Sequence, residues 1–548
     1  MAIALGANAQ DITSTPLTLE AITDGDITLS ITYSYNHPVV LEPIEYQVNG
    51  GSWTACSWPT DDAGITSSTG NWPVTFSDAI HVATGDKVAF RGNNASYYGN
   101  GTGFESHITS TADVYVYGNV MSLIHASDFA TNYTMTGDWN FANLFKIPTE
   151  TPWEPPVTVT TIKSHPTNDI VLPSTTLTNY CYAGLFAGCK GITRAPELPA
   201  TTISVGSYTQ MFRGTGLTEA PVLPATEFTP YSYDDEGEHG SIDCYMQMFQ
   251  DCTELTVAPA LPATTLVHGV YQNMFEGCTS LVSAPALPAT DLTGGDQCYT
   301  AMFKGCTSLK NAPALPATTL DNWCYVEMFS GCTSLENAPA LPATTLAEDC
   351  YHRMFEGCTS LQKAPVLPAP TIMGQVYGGM FDGCSGLTSL DVSGFKTDNV
   401  TDMSYMFCGC SGLTSLDLSS FKTDNVTEMK HMFSGCRSLT TIYAGNDWST
   451  EKVTSGYEMF DSCNNLVGGQ GTAYKNARTD HTYARIDGGV DAPGYFTAKE
   501  NTGMKGVMAD GQQTAPVYNI KGQQVNGQQR GLHIVRSADG KVKKVVVR

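Results

Sequence analysis

One motif, Met-Phe-x-Gly-Cys-x-x-Leu, recurs along this chain at a nearly constant step. Successive motif phenylalanines are 26 residues apart in seven of ten intervals. A repeat of about 20 to 50 residues is typical of solenoids, in which each unit buries its apolar edge only against its neighbours. We therefore expect eleven stacked units, with phenylalanines at Phe186, Phe212, Phe249, Phe275, Phe303, Phe329, Phe355, Phe381, Phe407, Phe433 and Phe460.

The later repeats indicate the secondary structure of one unit. Residues 413–418 have the Leu-x-x-Leu-x-Leu spacing of a leucine-rich repeat, in which the last two leucines flank an outward residue on a short strand. Val426, Met429 and Phe433 lie at i, i+3 and i+7, on one side of a short helix that Gly435 would end. We predict an α/β repeat, a leucine-rich-repeat solenoid with a short strand and a short helix per 26-residue coil. A parallel β-helix with three strands per coil is the alternative.

The earlier repeats carry proline where the strand is expected. One example is Ala338-Pro339-Ala340, and proline recurs at its middle position in most of these coils. Proline removes a donor from the strand ladder, so we predict an irregular ladder or an extended, polyproline-like segment there.

The remainder of the chain lacks this period. Short alternating runs broken by Gly, Asn and Asp predict an N-terminal β-sandwich, and three short β segments with glycine turns predict a small C-terminal sheet. The predicted organisation is a signal-peptide remnant at 1–9, a β-sandwich at 10–118, an N-terminal cap repeat at 119–173, the solenoid at 174–467, a closing segment at 468–500 and a C-terminal β-module at 501–548.

The composition excludes some partners and predicts export. The net charge is -25, which argues against a nucleic-acid partner because nothing offsets the repulsion between the acidic chain and the phosphates. The sequence contains no run of about 18 apolar residues, so it predicts no membrane-spanning segment. Ala7-Asn8-Ala9 before Gln10 has the small-x-small form of a signal-peptidase site, so we expect a secreted or surface protein. A disordered start of an intracellular protein is the alternative.

Several of these segments resemble a known family. The run from Cys324 to Leu335, Leu341-Pro-Ala-Thr-Thr-Leu, and Asn399-Val-Thr-Asp-Met-Ser-Tyr-Met-Phe with its twin at Asn425 resemble the BspA-like leucine-rich-repeat surface proteins of Bacteroidetes and related bacteria. The resemblance covers about residues 119 to 497. It implies a secreted or surface-anchored binding protein that attaches to host matrix proteins or cells, and it names no particular ligand.

The end of the chain resembles a second group. Val517-Tyr-Asn-Ile-Lys-Gly-Gln-Gln-Val and Gly531-Leu-His-Ile-Val are similar to the C-terminal sorting domains of type IX secretion cargo. That resemblance implies an export address. A retained C-terminal β-module is the alternative.

The seventeen cysteines do not indicate a metal or a cofactor. Five coils contain Cys-x7-Cys, as in Cys324 and Cys332, but Cys278 and Cys384 occur without a first cysteine. The second cysteine therefore does not need the first, and a small buried side chain in a stacked column explains it better than a disulfide. The chain has no Cys-x-x-Cys, and we predict neither a metal site nor a cofactor.

Two segments are candidate binding sites. An insertion between two coils contains an aromatic and acidic group that would bind a basic protein or calcium, and the N-terminal domain contains tryptophans that would stack on sugars. A solvated loop and an ordinary tryptophan core are the respective alternatives. The candidate residues are Tyr231, Tyr233, Asp234, Asp235 and Glu236 in the insertion and Trp53, Trp58 and Trp72 in the N-terminal domain.

These observations predict a binding protein without catalysis. The hydrolase and nucleotide-binding motifs His-Glu-x-x-His, Gly-x-Ser-x-Gly and the P-loop do not occur. The predicted function is that of an adhesin or a scaffold for host or matrix proteins, with an extracellular protein or glycan as partner. The alternative is an extracellular carbohydrate-active protein, either a glycan binder through its N-terminal domain or a β-helix lyase.

Overall fold

The chain is described here from a computed structural model. It forms two compact units, Met1–Ala498 and Lys499–Arg548. The described residues are 12–33, 44–57, 74–93, 104–147, 156–229, 243–344, 346–365, 377–395 and 397–499, together with four strand segments between 517 and 547.

The N-terminal part of the first unit contains two sheets. A three-stranded antiparallel sheet has the order β5-β2-β7, and a mixed sheet has the order β11-β9-β8-β1-β6-β3-β4 with β10 beside β8. The mixed sheet does not stop at residue 118, because β8 pairs in parallel with β9 and β9 pairs with β11 in the first coils. The strands are β1 (Thr18–Ala21), β2 (Gly25–Tyr33), β3 (Glu45–Val48), β4 (Thr54–Ala55), β5 (Val74–Val82), β6 (Lys87–Arg91), β7 (Phe104–Ser110), β8 (Val114–Asn119), β9 (Val159–Ser164), β10 (Ile170–Val171) and β11 (Cys189–Gly191).

The predicted helix of each coil is wrong, and with it the α/β leucine-rich-repeat fold class. In the described residues, helical structure is limited to 3-10 turns at Ile12–Ser14, Val120–Leu123 and His481–Tyr483. The same part of the chain contains no helix of the length and hydrophobicity that a membrane crossing requires. The segments that carry the Met-Phe motif are successions of tight turns instead.

Two kinds of backbone hydrogen bond alternate along these turns. The N–H of Met248 donates to the carbonyl of Tyr245 at 3.1 Å and closes a turn within the coil. The N–H of Phe249 donates to the carbonyl of Met274 in the next coil at 3.0 Å. This alternation continues over residues 245–252, so every second residue joins one coil to the next. An α-helix would instead use every N–H within its own segment.

The turns follow a four-residue period. In the coil of Phe249, residues 243, 247 and 251 have φ of 39°, 57° and 61°. Residues 244–245 and 248–249 are buried, whereas residues 246–247 between them are partly exposed. Two inward and two outward residues therefore alternate. A period of four is close to the 3.6 of a helix, which explains the wrong prediction. In nine of the eleven coils the residue two positions after the motif Phe is a glycine, which occupies a left-handed turn position and does not end a helix.

Stacked side chains fill the interior. Phe145 and the motif phenylalanines form two ladders, from Phe145 to Phe381 and from Phe407 to Phe460, with ring centroids 5.5–6.0 Å apart and planes within 15° of each other. The tyrosine four residues earlier forms a further ladder, from Tyr182 to Tyr377, with spacings of 5.8–6.3 Å. Each stacked pair contributes about 1 kcal/mol beyond its buried area. The predicted inward direction of the motif Met and Phe is confirmed, since these side chains are 0–1% exposed.

The strand pairing between coils differs between the repeats without proline and the repeats with proline. Coils without proline form a parallel sheet of β14 (Ser415–Leu418), β15 (Thr441–Ala444) and β16 (Phe496–Ala498). At the same position of the proline-containing coils, neighbouring coils meet at single bridges such as Asn311 with Asn337 and Asn337 with Lys363. The short pair β12 (Thr202–Ile203) and β13 (Glu227–Phe228) lies further along two of these coils, after their prolines. The prediction of an irregular ladder in the proline coils is therefore confirmed.

A buried carboxylate organises the end of the first unit. Asp487 is 4% exposed and accepts hydrogen bonds from the backbone N–H groups of Gln470, Thr472 and Gly489 at 2.8–3.0 Å and from the Thr472 hydroxyl at 2.7 Å. Burial alone would raise the pKa of this carboxyl, but these donors outweigh it and hold the pKa well below its usual value.

The second unit contains a small antiparallel sheet with the order β18-β17-β19-β20. Its strands are β17 (Val517–Asn519), β18 (Gln524–Val525), β19 (Gly531–Arg536) and β20 (Val542–Val547).

We predict that the close packing of coils requires the column of glycines two residues after the motif Phe. Gly409 has φ of 68°, and a Cβ there would lie 2.9 Å from the Cα of Gly383. Gly409→Ala should lower the free energy of unfolding by about 2 kcal/mol in chemical denaturation, because left-handed strain and a backbone clash add. Gly294→Ala is the matched control, since Gly294 has φ of 81° with open space around it. Equal losses in the two variants would show that the column is not tightly packed.

We also predict acid sensitivity of the closing segment. The folded pKa of Asp487 is depressed below the ordinary value of 3.8. Its stabilisation is therefore complete at neutral pH and is lost as the pH falls below about 4 towards the folded pKa. Asp487→Asn should cost about 2 kcal/mol near neutral pH and less near pH 3, measured by hydrogen exchange of the backbone N–H groups that face residue 487. An unchanged penalty at both pH values would contradict this assignment.

Candidate functional site

Most of the predicted binding residues lie outside the described part of the chain. These are Tyr231, Tyr233, Asp234, Asp235 and Glu236 in the insertion, and Trp58 and Trp72 in the N-terminal domain.

Trp53 is the one predicted binding residue that the structure describes. It is half-buried, and the Arg91 guanidinium lies 4.2 Å from its ring centroid. Arg91 is held there by Glu45, whose Oε2 is 2.6 Å from the Arg91 Nε. One face of this ring is therefore covered by a cation and is not available to a sugar.

The cysteines belong to the core. All seventeen are free, and sixteen of them are buried. In ten coils the thiol three residues after the motif Phe donates to the carbonyl of the motif Phe position in the preceding coil at 3.0–3.4 Å. Burial raises the pKa of Cys332 and of its neighbours well above the ordinary thiol value. The prediction of a buried column is confirmed, and these thiols are not nucleophiles. Within the described ranges, no group of three or more His, Cys, Asp or Glu side chains is placed to hold a metal ion.

The outer face of the turns contains a notch. We define the outer face as the two residues before the motif Met, which are Thr300 and Ala301, Val326 and Glu327, or His352 and Arg353 in three successive coils. In the coil of Phe381 both positions are glycine, Gly378 and Gly379. A cavity of about 290 Å³ opens at this place.

Backbone hydrogen bonds join the notch coil to the coil on each side. The N–H of Arg353 donates to the carbonyl of Gly378 at 2.9 Å, and the N–H of Gly379 donates to the carbonyl of Ser404 at 3.2 Å. The cavity therefore lies where two outer side chains are missing. In the described residues, the bond that Phe355 donates to Met380 in the next coil has no counterpart at Phe381. A Cβ at Gly379 would lie 3.0 Å from the Cγ of Arg353, so the stem of Arg353 lies in the space that this glycine leaves.

Charged and polar side chains line the notch. His352 and Arg353 come from the preceding coil, and Asp402, Ser404 and Tyr405 come from the following one. Ser404 is 8% exposed, and its hydroxyl has no hydrogen-bond partner among the described residues. The same part of the chain places no carboxylate within ion-pair distance of Arg353.

Two further coils complete the site. Lys430 lines the notch but forms an ion pair with Glu428 at 2.8 Å, and this carboxylate raises the pKa of Lys430. The Tyr405 ring stacks on His431 with centroids 4.9 Å apart, and His431 contacts Tyr457 edge to face at 5.1 Å. Burial raises the pKa of the Tyr405 hydroxyl, while the positive charges of Lys430 and Arg353 oppose this shift. The notch thus combines one unpaired cation, aromatic rings and polar groups in a concave space.

The notch residues were not among the residues predicted from the sequence. Aligning the repeats on the motif Phe would have shown that the coil of Phe381 differs from the others in having glycine at both outer positions, Gly378 and Gly379. That signal marks missing volume, but it does not identify which side chains from the adjoining coils surround the space.

Comparison with known proteins adds little. A family model described as "Mycoplasma protein of unknown function, DUF285" matches residues 351–474, a range that contains all the notch residues named above. No curated protein and no solved structure gives a significant match.

We predict that the native chain resists thiol alkylation. Burial and the charge of Asp382 raise the pKa of the half-exposed Cys408 to about 12, and the other cysteines are buried. Iodoacetamide at neutral pH should therefore modify Cys408 slowly and the remaining cysteines only after denaturation, as measured by peptide mass spectrometry. Disulfide-linked peptides in a non-reducing digest of the native chain would contradict the free-thiol column.

Proposed function

We propose that this chain is an exported protein, secreted or held at the outer cell surface, that binds an extracellular protein or glycan and performs no catalysis. Adhesion to host or matrix proteins is the activity that the family resemblance suggests. The proposal of export rests on Ala7-Asn8-Ala9 and on the sorting-like segment after Val517.

The contrast between the inner and outer positions of the coils supports a binding role. The motif phenylalanine is the same in all eleven coils, whereas the outer residue two positions before it changes from coil to coil. Packing constrains the inner position, and nothing in the core requires the variation outside. The backbone that presents the outer residues is held by the same coil-to-coil bonds along much of the stack. The outer residues are Gly184, Gln210, Gln247, Asn273, Ala301, Glu327, Arg353, Gly379, Tyr405, His431 and Glu458.

The single observation that carries the proposal is the notch at Gly378 and Gly379. It is a concave space on a rigid scaffold, close in volume to the lower end of small-ligand sites, which is about 300 Å³. Its lining offers charge, aromatic surface and hydrogen-bonding groups without the paired, activated groups that a hydrolytic site needs.

We predict that filling the notch removes ligand binding. The full chain would be screened against a panel of matrix proteins and glycans by surface plasmon resonance. Gly378→Tyr should then weaken binding to any captured ligand at least tenfold, on the order of 1.4 kcal/mol. The same backbone position already carries Tyr457 in another coil, so the substitution is compatible with the fold.

Val326→Tyr is the matched control, because it adds the same side chain at the same position outside the notch. It should leave binding unchanged. No binding to any member of the panel would contradict the proposed function, and equal effects of the two variants would place the binding surface elsewhere.

A further inference from the structure

The geometry points to a specific ligand class for the notch, and we propose that it binds a carboxylated sugar residue of the hexuronic acid type. This inference rests on the proposed function. It identifies which chemistry the concave part of the outer face would recognise.

The charge in the notch selects an anion. The chain as a whole carries a net charge of -25, yet Arg353 and Lys430 both line this cavity and Asp402 is the acidic residue that lines it. Glu428 already neutralises Lys430 at 2.8 Å. Arg353 is therefore the cation that remains available, since no ion pair joins it to a carboxylate in the described ranges. A guanidinium binds a carboxylate through two parallel hydrogen bonds, which favours a carboxylate-bearing ligand.

The remaining polar groups select hydroxyls. The Ser404 hydroxyl is buried and has no partner within the described chain, so a ligand oxygen would bond it after a rotation of the Ser404 side chain towards the cavity that this residue lines. Asp402 accepts a hydrogen bond from the backbone N–H of Ser404 at 2.7 Å, which fixes its carboxylate beside the cavity. A carboxylate has further acceptor positions and would take hydrogen bonds from ligand hydroxyls. An acid that also carries several hydroxyls therefore fits better than a simple carboxylic acid.

The aromatic residues select a ring with an apolar face. Tyr405 is held by its stack on His431 at 4.9 Å, and both Tyr405 and Tyr457 line the cavity. Aromatic rings fixed in this way provide a flat apolar surface at low entropic cost. The C–H face of a pyranose would pack on such a surface. The volume of about 290 Å³ accommodates one monosaccharide residue.

The test uses the full chain and three probes: D-glucuronate, D-glucose and cyclohexanecarboxylate. Isothermal titration calorimetry should show saturable binding of D-glucuronate with a dissociation constant on the order of 1 mM, and roughly tenfold weaker binding of the other two. Equal binding of D-glucose would overturn the role of Arg353. Equal binding of cyclohexanecarboxylate would overturn the role of the hydroxyl-binding groups. An array of uronate-containing oligosaccharides then shows whether the residue is recognised free or within a glycan.

Variants locate the site. Arg353→Gln and Gly378→Tyr should weaken D-glucuronate binding at least roughly tenfold, Arg353→Lys by less, and Ser404→Ala about threefold. Arg437→Gln, which removes an exposed arginine outside the notch, should have no effect. Near-ultraviolet circular dichroism would establish that each variant is folded.

This inference and the proposed function can fail separately. If D-glucuronate does not bind but the chain still captures a ligand from the panel of matrix proteins and glycans, the uronate inference is wrong and the binding function stands. If Arg353→Gln and Arg437→Gln behave alike towards D-glucuronate, the anion is held outside the notch and the inference is overturned.

Discussion

The structure depends on the backbone hydrogen bonds that join successive coils at every second residue of the turn segments. A chain can alternate bonds within the coil and between coils only if some residues adopt positive φ, and here residues such as Gln247 and Glu327 do so without being glycine. Each costs about 1 kcal/mol or more in isolation. The inter-coil bonds and the stacked rings offset this strain, so no coil is expected to be stable alone.

The same arrangement uses the inward residues for packing and leaves the outward residues available for recognition. Inward residues are repeated because each side chain stacks on its counterpart in the next coil. The thiols illustrate this, since a buried cysteine is small enough for the column and still donates to a carbonyl, as Cys332 does to that of Phe303 at 3.0 Å. High thiol pKa values and burial protect such cysteines from oxidation, which is compatible with an exported chain. Outward residues are free of these demands, and a repeated scaffold can therefore present a different side chain in every coil.

The notch shows how such a scaffold can gain a site within the stack of coils. Glycines at 378 and 379 keep the inter-coil bonds of Arg353 and Gly379 and open a space that neighbouring coils line. The chemistry of the site comes from those neighbours. Arg353 supplies charge, Ser404 and Asp402 supply polar groups, and Tyr405 supplies an apolar surface. Because the coils are in fixed register, their side chains meet at a spacing that the repeat itself determines.

The sequence alone determined the repeat, its register and its buried columns, because identical side chains at a constant step can be buried only by stacking. It also determined the irregular ladder at Ala338-Pro339-Ala340, since proline lacks the N–H that a ladder needs. The tertiary structure decided that the Met-Phe segment is a series of turns and not a helix. Both conformations bury residues at nearly the same spacing, and only the bonds to the next coil distinguish them. It also decided the candidate site, because His352 and Tyr457 are 105 positions apart in the sequence and line one cavity only when five coils stack.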